Sequence, residues 1–428
     1  MKSNKHNEKK LVRMAMTQSS ALIACAWLVC ASVHAAWVVD PSANVQTRYS
    51  DNMRSQSQSE QSGTETTLGV QAKLSQISEI SEVSIMTGAD FSKYSGVDGF
   101  EKDNRESFFL EGRAKRQLQR SELSLRTSFR RQDTLRFFRV LEPVTAVEAI
   151  TEADNEDYLP GELAVEDELI TGVAADVGSS DQLVQRNRFN IRPSFSYTID
   201  PRTSFTLNYG FYDSSYSDVP PASRLQDSQS HQVGIGIRRA TSPRNYVSLN
   251  INRSRFEPEF NLDSDSTNVQ IRWQSRLSAQ TTLTLSAGAR KTETDFYDDS
   301  GGLFSGRIDH QLSSGSMFFL VERGLTGSGY GSQVENDRLS VGYSNELSDR
   351  VSWKISGRAF RTTKLSNFQQ DNSRDFVQIT PSIQWAFRKN WQVHVSYRYT
   401  WIDRDWTPDA TSSNSVVLSM EYVPSRRP

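Results

Sequence analysis

An alternation of apolar and polar residues with a period of two runs through most of this chain and limits what it can fold into. Between residues 391 and 401 every second position is apolar or aromatic, whereas the positions between them carry polar side chains such as Gln392, Arg398 and Thr400. Successive side chains of a β-strand point to opposite faces, so this segment predicts a strand with one apolar and one polar face. About 18 segments with this pattern can be found between residues 37 and 422.

The connections between these segments alternate between short and long. Gln119-Arg120 and Lys389-Asn390 are short connections, whereas those near 51–63 and 404–413 are long. Membrane barrels have short periplasmic turns and long extracellular loops, and a tilted strand needs about 9–11 residues to cross the bilayer. The sequence therefore predicts an all-β fold: a single transmembrane antiparallel up-and-down β-barrel of about 18 strands, whose even strand number leaves no exposed edge.

A soluble, exported antiparallel β protein is the alternative, because its sheets also alternate apolar and polar positions. Trp353, Trp385 and Trp391 all lie beside short connections. Such a position is typical of the aromatic girdle at a membrane interface. The aromatic positions and the asymmetry of the connections favour the membrane barrel.

The N-terminus resembles a secretory signal peptide over residues 1–35. A basic start precedes a short apolar run, and small residues then favour cleavage near Ala35. Cys25 and Cys30 are the two cysteines of the chain and both lie inside this segment. The predicted barrel, residues 36–428, therefore has no disulfide, thiol nucleophile or cysteine metal site.

Charge and motifs point away from several classes of function. The predicted barrel has 44 basic and 50 acidic residues, so no nucleic-acid partner is expected. His394 takes the polar parity of its strand, but no serine and aspartate partners are marked by spacing. The sequence predicts no enzymatic activity, cofactor or metal site.

The polar positions of the predicted strands are rich in arginine. An 18-stranded barrel is wide enough for an aqueous channel, where arginines favour anions, including acidic sugars, by charge and by bidentate hydrogen bonds. The same arginines can instead pair with carboxylates such as Glu111 and Glu122 and only stabilise the wall, and the sequence leaves both interpretations open. The lumen-facing candidates are Arg113, Arg126, Arg130, Arg192, Arg272, Arg290, Arg358 and Arg398.

One connection, residues 133–184, is much longer than an ordinary loop. Its part from 142 to 181 contains twelve acidic residues and neither lysine nor arginine. Loops of this length are commonly functional or disordered. We expect either a plug or gate that docks on the inward arginines or a solvated external loop. The acidic candidates are Glu142, Glu152, Asp157, Glu166, Asp167 and Glu168.

Several strand and turn segments resemble a family of bacterial outer-membrane barrels. The matching stretches are 48–52 (Arg-Tyr-Ser-Asp-Asn), 131–135 (Arg-Gln-Asp-Thr-Leu), 190–203 and 207–212. Members of this family are encoded in exopolysaccharide or capsule biosynthesis loci, often with PEP-CTERM and exosortase-type systems. The resemblance implies a Gram-negative outer-membrane barrel that assists polysaccharide export, with polysaccharide and periplasmic polysaccharide-export proteins as partners.

The sequence therefore suggests three functions. The first is export of an exopolysaccharide or capsular polysaccharide across the outer membrane. The alternatives are a porin for small anionic or sugar solutes and a non-conducting structural or adhesion barrel. All three imply contact with outer-membrane lipid and with the barrel assembly machinery, for which Val416, Leu418, Met420 and Tyr422 form a suitable last strand.

Overall fold

The structure is a computed structural model of the 428-residue chain. It describes residues 37–53, 55, 60–96, 104–133, 184–217, 219, 225–329, 331–365, 373–405 and 409–424. The predicted signal peptide and its cleavage position lie outside the described residues. Among the residues described, no helix is long and apolar enough to cross a membrane.

The described residues form 18 strands of 12 to 16 residues each. The strands are β1 Val38–Ser50, β2 Gly63–Ile77, β3 Ser81–Ser95, β4 Asn104–Gln117, β5 Ser121–Asp133, β6 Gln185–Asp200, β7 Thr203–Ser217, β8 Ser228–Ser242, β9 Asn245–Pro258, β10 Ser264–Arg276, β11 Thr281–Glu293, β12 Asp298–Leu312, β13 Gly315–Gly327, β14 Gln333–Ser348, β15 Val351–Lys364, β16 Arg374–Arg388, β17 Trp391–Arg404 and β18 Thr411–Tyr422.

Every strand pairs antiparallel with its neighbours in sequence, and β1 also pairs with β18. The β1–β18 ladder runs from Ala43 opposite Tyr422 to Ser50 opposite Ser415. The sheet is therefore closed into a barrel, as the sequence predicts. Turns of two to four residues connect the strands at one end, which we call the short-turn end, and connections of four residues or more lie at the opposite end, the loop end.

The two faces of the sheet differ as the alternation predicts. The outer face exposes large apolar side chains, including Val45, Leu68, Phe91, Ile235, Ile251, Ile271, Leu285, Val341, Ile383 and Leu418. The inner face buries small polar side chains, including Thr67, Ser92, Thr206, Ser248, Asn250, Ser286, Ser316, Gln378, Ser396 and Ser415. A barrel with this distribution has an apolar outer wall and a polar inner wall, which is the pattern of a barrel that crosses a membrane.

Aromatic side chains cluster on the outer wall at the short-turn end. Trp353 packs against Tyr343 with ring centroids 5.1 Å apart, and Trp391 packs against Tyr422 at 5.0 Å. Trp385 is 52% exposed on the same wall. These rings occupy the level that the sequence assigns to an interfacial girdle.

Pro193 and Pro381 lie inside strands, where a bulge would be a natural expectation because proline lacks the N–H that a ladder needs. The structure shows no shift of register there. Two rungs are absent beside each proline, between β6 and β7 and between β16 and β17, and the same register resumes beyond the gap. The register shifts lie instead beside short turns, for example between Thr198 and Asp200. A missing donor interrupts the ladder without adding a residue to the strand.

Closure of the barrel can be tested by cross-linking, because the chain has no cysteine after Cys30. Val45 lies opposite Met420 on the outer wall, and directly opposite Cβ atoms are about 4.5–5.5 Å apart. We expect a short bifunctional thiol reagent to join Val45→Cys to Met420→Cys in the refolded chain, as measured by mass spectrometry of the linked peptides.

The matched control is Val45→Cys with Val416→Cys, since Val416 lies opposite Tyr49 and not opposite Val45. Equal linkage of both cysteine pairs would contradict the register of the closing strands.

Candidate functional site

The inner wall of the barrel carries the arginines that the sequence selects. On β10, the buried Arg272 lies between the outward Ile271 and Trp273, and Arg290 and Arg398 are likewise buried on the inner face. The strand registers place the remaining candidates on the same face. All eight candidates, Arg113, Arg126, Arg130, Arg192, Arg272, Arg290, Arg358 and Arg398, therefore have the inward orientation that their parity predicts.

Three of these arginines form a continuous row across neighbouring strands. Arg113 on β4 lies directly opposite Arg126 on β5, and Arg126 lies directly opposite Arg192 on β6. The guanidinium of Arg192 also lies over the ring of Tyr212, 4.9 Å from its centroid. Like charges directly opposite each other repel, so this register places three mutually repelling guanidinium groups on neighbouring strands. We call Arg113, Arg126 and Arg192 the arginine row.

The carboxylates beside the row test the purely structural interpretation of the arginines. Glu111 accepts a hydrogen bond from Arg130 at 2.9 Å, as that interpretation expects. Glu122 instead lies 3.1 Å from the ammonium group of Lys115. Ion pairs that remain partly exposed contribute only about 0–1 kcal/mol each. Arg130 is thus held by a carboxylate of the wall, and the arginine row places three guanidinium groups on neighbouring strands.

The inner wall is not polar throughout. Phe360 and Phe376 stack at the loop end with centroids 4.5 Å apart, and Arg374 lies over Phe360 at 5.0 Å. Ile402 and Val417 are also buried on the inward face. Sequence reasoning missed these apolar residues because it followed the more frequent polar residues of the same parity. The sequence did carry a signal for these apolar residues, because each takes the inward parity of its strand. Arg358 on β15 and Arg398 on β17 take the same inward parity.

The hairpin of β13 and β14 leans across the mouth of the barrel at the loop end. The carbonyl oxygen of Gly329 accepts a hydrogen bond from the backbone N–H of Gln226 at 3.1 Å. The side chain of Asn261 donates to the carbonyl oxygen of Gly331, also at 3.1 Å. Ser266 on β10 donates to the side chain of Gln333 at 2.8 Å. These contacts join connections that lie several strands apart, so the hairpin narrows the mouth on the side of β7 to β10.

Glycine is needed at the tip of this hairpin. Gly331 has φ +75°, a conformation that side chains with a Cβ disfavour, and an added Cβ would meet the side chain of Gln226. A Cβ at Gly329 would lie 2.8 Å from the hydroxyl of Tyr216. The described residues of this tip therefore make specific contacts over the mouth.

The acidic candidates fall on a segment that the structure does not describe. Glu142, Glu152, Asp157, Glu166, Asp167 and Glu168 lie outside the described residues, so their interaction with the inner wall stays a prediction. Within the described ranges, no group of three or more His, Cys, Asp and Glu side chains could hold a metal ion. The described inner wall combines guanidinium groups, hydroxyls and amides with a few carboxylates and rings.

Comparisons with known proteins give a likeness of overall shape. The chain is similar to a BenF-like porin from Pseudomonas fluorescens Pf-5, with 10% identity, a TM-score of 0.47, and coverage of 91% of this chain and 99% of that one. It is also similar to Pseudomonas aeruginosa OccK2 (OpdF) in complex with glucuronate, with 10% identity, a TM-score of 0.47, and coverage of 90% of this chain and 98% of that one. A third similar structure is Acinetobacter baumannii OccAB2, with 9% identity, a TM-score of 0.45, and coverage of 91% of this chain and 98% of that one.

Neither the family models nor the curated proteins contain a match to this chain. The resemblance to barrels of polysaccharide loci therefore stays a prediction. The inner wall and the mouth of the barrel are the features that bear on function.

The position of the β13–β14 hairpin over the mouth can be tested with one glycine substitution. We expect Gly331→Ala to loosen the hairpin by about 1 kcal/mol, because alanine is strained at positive φ. A looser hairpin should raise the mean single-channel conductance of the reconstituted chain or add conductance fluctuations.

Gly324→Ala is the matched control on the same hairpin, since a Cβ there meets no atom within 4 Å. If both variants conduct like the unmodified chain, the hairpin tip does not limit the pathway.

Proposed function

We propose that this chain is an outer-membrane pore of a Gram-negative bacterium that admits small hydrophilic solutes and favours anions. The observation that carries the proposal is the arginine row, which spans three neighbouring strands of the inner wall. Rings or rows of cationic side chains in a pore favour anions by their field, and guanidinium groups also bind carboxylates in bidentate fashion. Small carboxylates and acidic sugars are the solutes that fit this wall.

The membrane location is supported by the outer wall. Apolar side chains such as Ile271 (57% exposed) recur around the ring, and the closed ladder pairs every strand with two neighbours. A soluble protein that exposed a continuous apolar belt would be prone to association. In a bilayer the same belt contacts lipid, and closure satisfies the backbone groups that lipid cannot.

The mouth favours small solutes over a polymer. The β13–β14 hairpin reaches Gln226, Asn261 and Ser266 and therefore crosses part of the entrance. A polysaccharide chain would have to pass this hairpin or displace it. Polysaccharide export stays a second candidate, supported by the resemblance of the sequence to barrels of polysaccharide loci. A non-conducting structural barrel is the third candidate, and conductance separates it from the other two.

The deciding experiment is single-channel recording of the refolded chain from residue 36 in planar bilayers. We expect open channels with a reversal potential in a salt gradient that reports anion preference. Added galacturonate should block the channel at concentrations at which neutral glucose does not. Absence of conductance, or preference for cations, would overturn the proposal.

One substitution tests the arginine row directly. We expect Arg126→Gln to lower the ratio of anion to cation permeability by about twofold to fivefold, since it removes about 0.4–1 kcal/mol of attraction from the middle of the row. The measurement is the shift of the reversal potential towards zero in the same salt gradient.

Arg253→Gln removes the same charge from the outer wall and is the matched control. Arg253 is exposed and lies opposite Val233 and Thr267, on the face that carries the apolar belt. Equal changes in the two variants would show that overall charge, and not the row, sets the selectivity.

A further inference from the structure

Arg272 on the inner face of β10 has different surroundings from other buried arginines of the wall. Arg290 contacts Asp299, and Arg338 contacts Glu322. Within the described part of the chain, Arg272 makes no ion pair, and its covered Nε has no hydrogen-bond partner. The residue is nevertheless only 9% exposed. A buried guanidinium is costly unless it is paired, so this position suits a cation that receives its anion from the lumen.

A second arginine lies on the same level of the inner wall. Arg238 on β8 is opposite Ser248 on β9, which in turn is opposite Arg272 on β10. The two guanidinium charges repel each other across the small serine. Arg238 is only half-buried, and its guanidinium lies over the ring of Tyr246, 4.0 Å from the centroid. An anion in the lumen can therefore approach this pair and bind guanidinium groups by bidentate hydrogen bonds.

Two amide groups converge on the same part of the wall, nearer the loop end. Gly234 on β8 is opposite both Asn208 on β7 and Asn252 on β9. An added Cβ on Gly234 would lie 2.1 Å from Oδ1 of Asn252 and 2.2 Å from Oδ1 of Asn208, so both amides lie over the glycine backbone. Both asparagines are partly exposed, and neither side chain makes a hydrogen bond to another described residue. Their donors and acceptors are available to a solute in the lumen.

Further amides line the wall between the arginine pair and the two asparagines. Asn250 and Gln270 are opposite each other, one inward position from Arg272, and Gln270 donates to Ser286 at 2.8 Å. A rise of about 3.3 Å per residue places Asn252 about 13 Å along the wall from the level of Arg272. This part of the wall is therefore cationic at one end and rich in amides over a length that suits a disaccharide.

We propose that Arg238, Arg272, Asn208 and Asn252 form a binding site for an acidic disaccharide. Its carboxylate pairs with the two arginines, and hydroxyls of its second sugar unit bind the two amides. Hydroxyls donate and accept hydrogen bonds as amides do, whereas an alkyl carboxylate offers nothing to the amides. The site is separate from the arginine row, and it rests on the open lumen of the pore proposed above.

Binding can be measured without conductance, by isothermal titration calorimetry of the refolded chain from residue 36 in a detergent without a sugar head group. The probe is lactobionate, a disaccharide acid with one carboxylate. We expect saturable binding of lactobionate and weaker binding of gluconate, which is a single sugar acid. Lactose lacks the carboxylate and hexanoate lacks the hydroxyls, so both should bind about tenfold more weakly or less.

Two substitutions separate the two ends of the site. Arg272→Gln should weaken lactobionate binding about tenfold or more, because it removes a charge-assisted hydrogen bond. Asn252→Ala should weaken lactobionate binding about threefold and leave gluconate binding unchanged, because only the second sugar unit reaches this amide. Circular dichroism checks that each variant folds, and if Arg272→Gln does not fold, the comparison of lactobionate with gluconate in Asn252→Ala decides.

Arg338→Gln is the matched control, since it removes the same charge from an equally buried position of the inner wall on β14. Equal weakening by Arg272→Gln and Arg338→Gln would assign binding to overall charge and overturn the site. Hexanoate or inorganic phosphate that binds as tightly as lactobionate would overturn recognition of the sugar. An anion-selective chain that does not bind lactobionate loses this site alone, whereas a non-conducting chain that binds it through Arg272 loses the pore alone.

Discussion

Every other feature of this structure depends on the pairing of β1 with β18. A strand in lipid has no water to satisfy its backbone groups, so a sheet that crosses a membrane must close on itself. The ladder from Ala43–Tyr422 to Ser50–Ser415 closes this sheet, although the two strands lie at opposite ends of the chain. Because the sheet is closed, the two faces of the period-two pattern have different surroundings: one face contacts lipid and the other encloses a lumen.

The inner wall follows from the same closure. Arg113, Arg126 and Arg192 are far apart in sequence, and the registers of β4 to β6 bring them side by side. Like charges directly opposite each other repel, whereas the outer row of Arg323, Asp337 and Arg361 alternates in sign. This contrast between the two walls supports the anion-favouring pore that we propose.

The loop end shows how side chains hold the wall together where a backbone ladder ends early. Between β12 and β13 the backbone ladder ends early, and Arg290 with Asp299 and Glu335 connects the parts that rungs would otherwise join. These ion pairs hold β11, β12 and the β13–β14 hairpin together at the loop end.

The sequence by itself determined the number of strands, their faces and the alternation of short and long connections, because each depends on neighbouring residues and on the two-residue period. It also determined that Arg126 and Arg290 face inward. Only the tertiary structure decided that Arg126 has Arg113 and Arg192 beside it, that Gly331 lies against Gln226, and that the β12–β13 ladder ends early. These features depend on register and on contacts between distant segments, which a local periodicity does not encode.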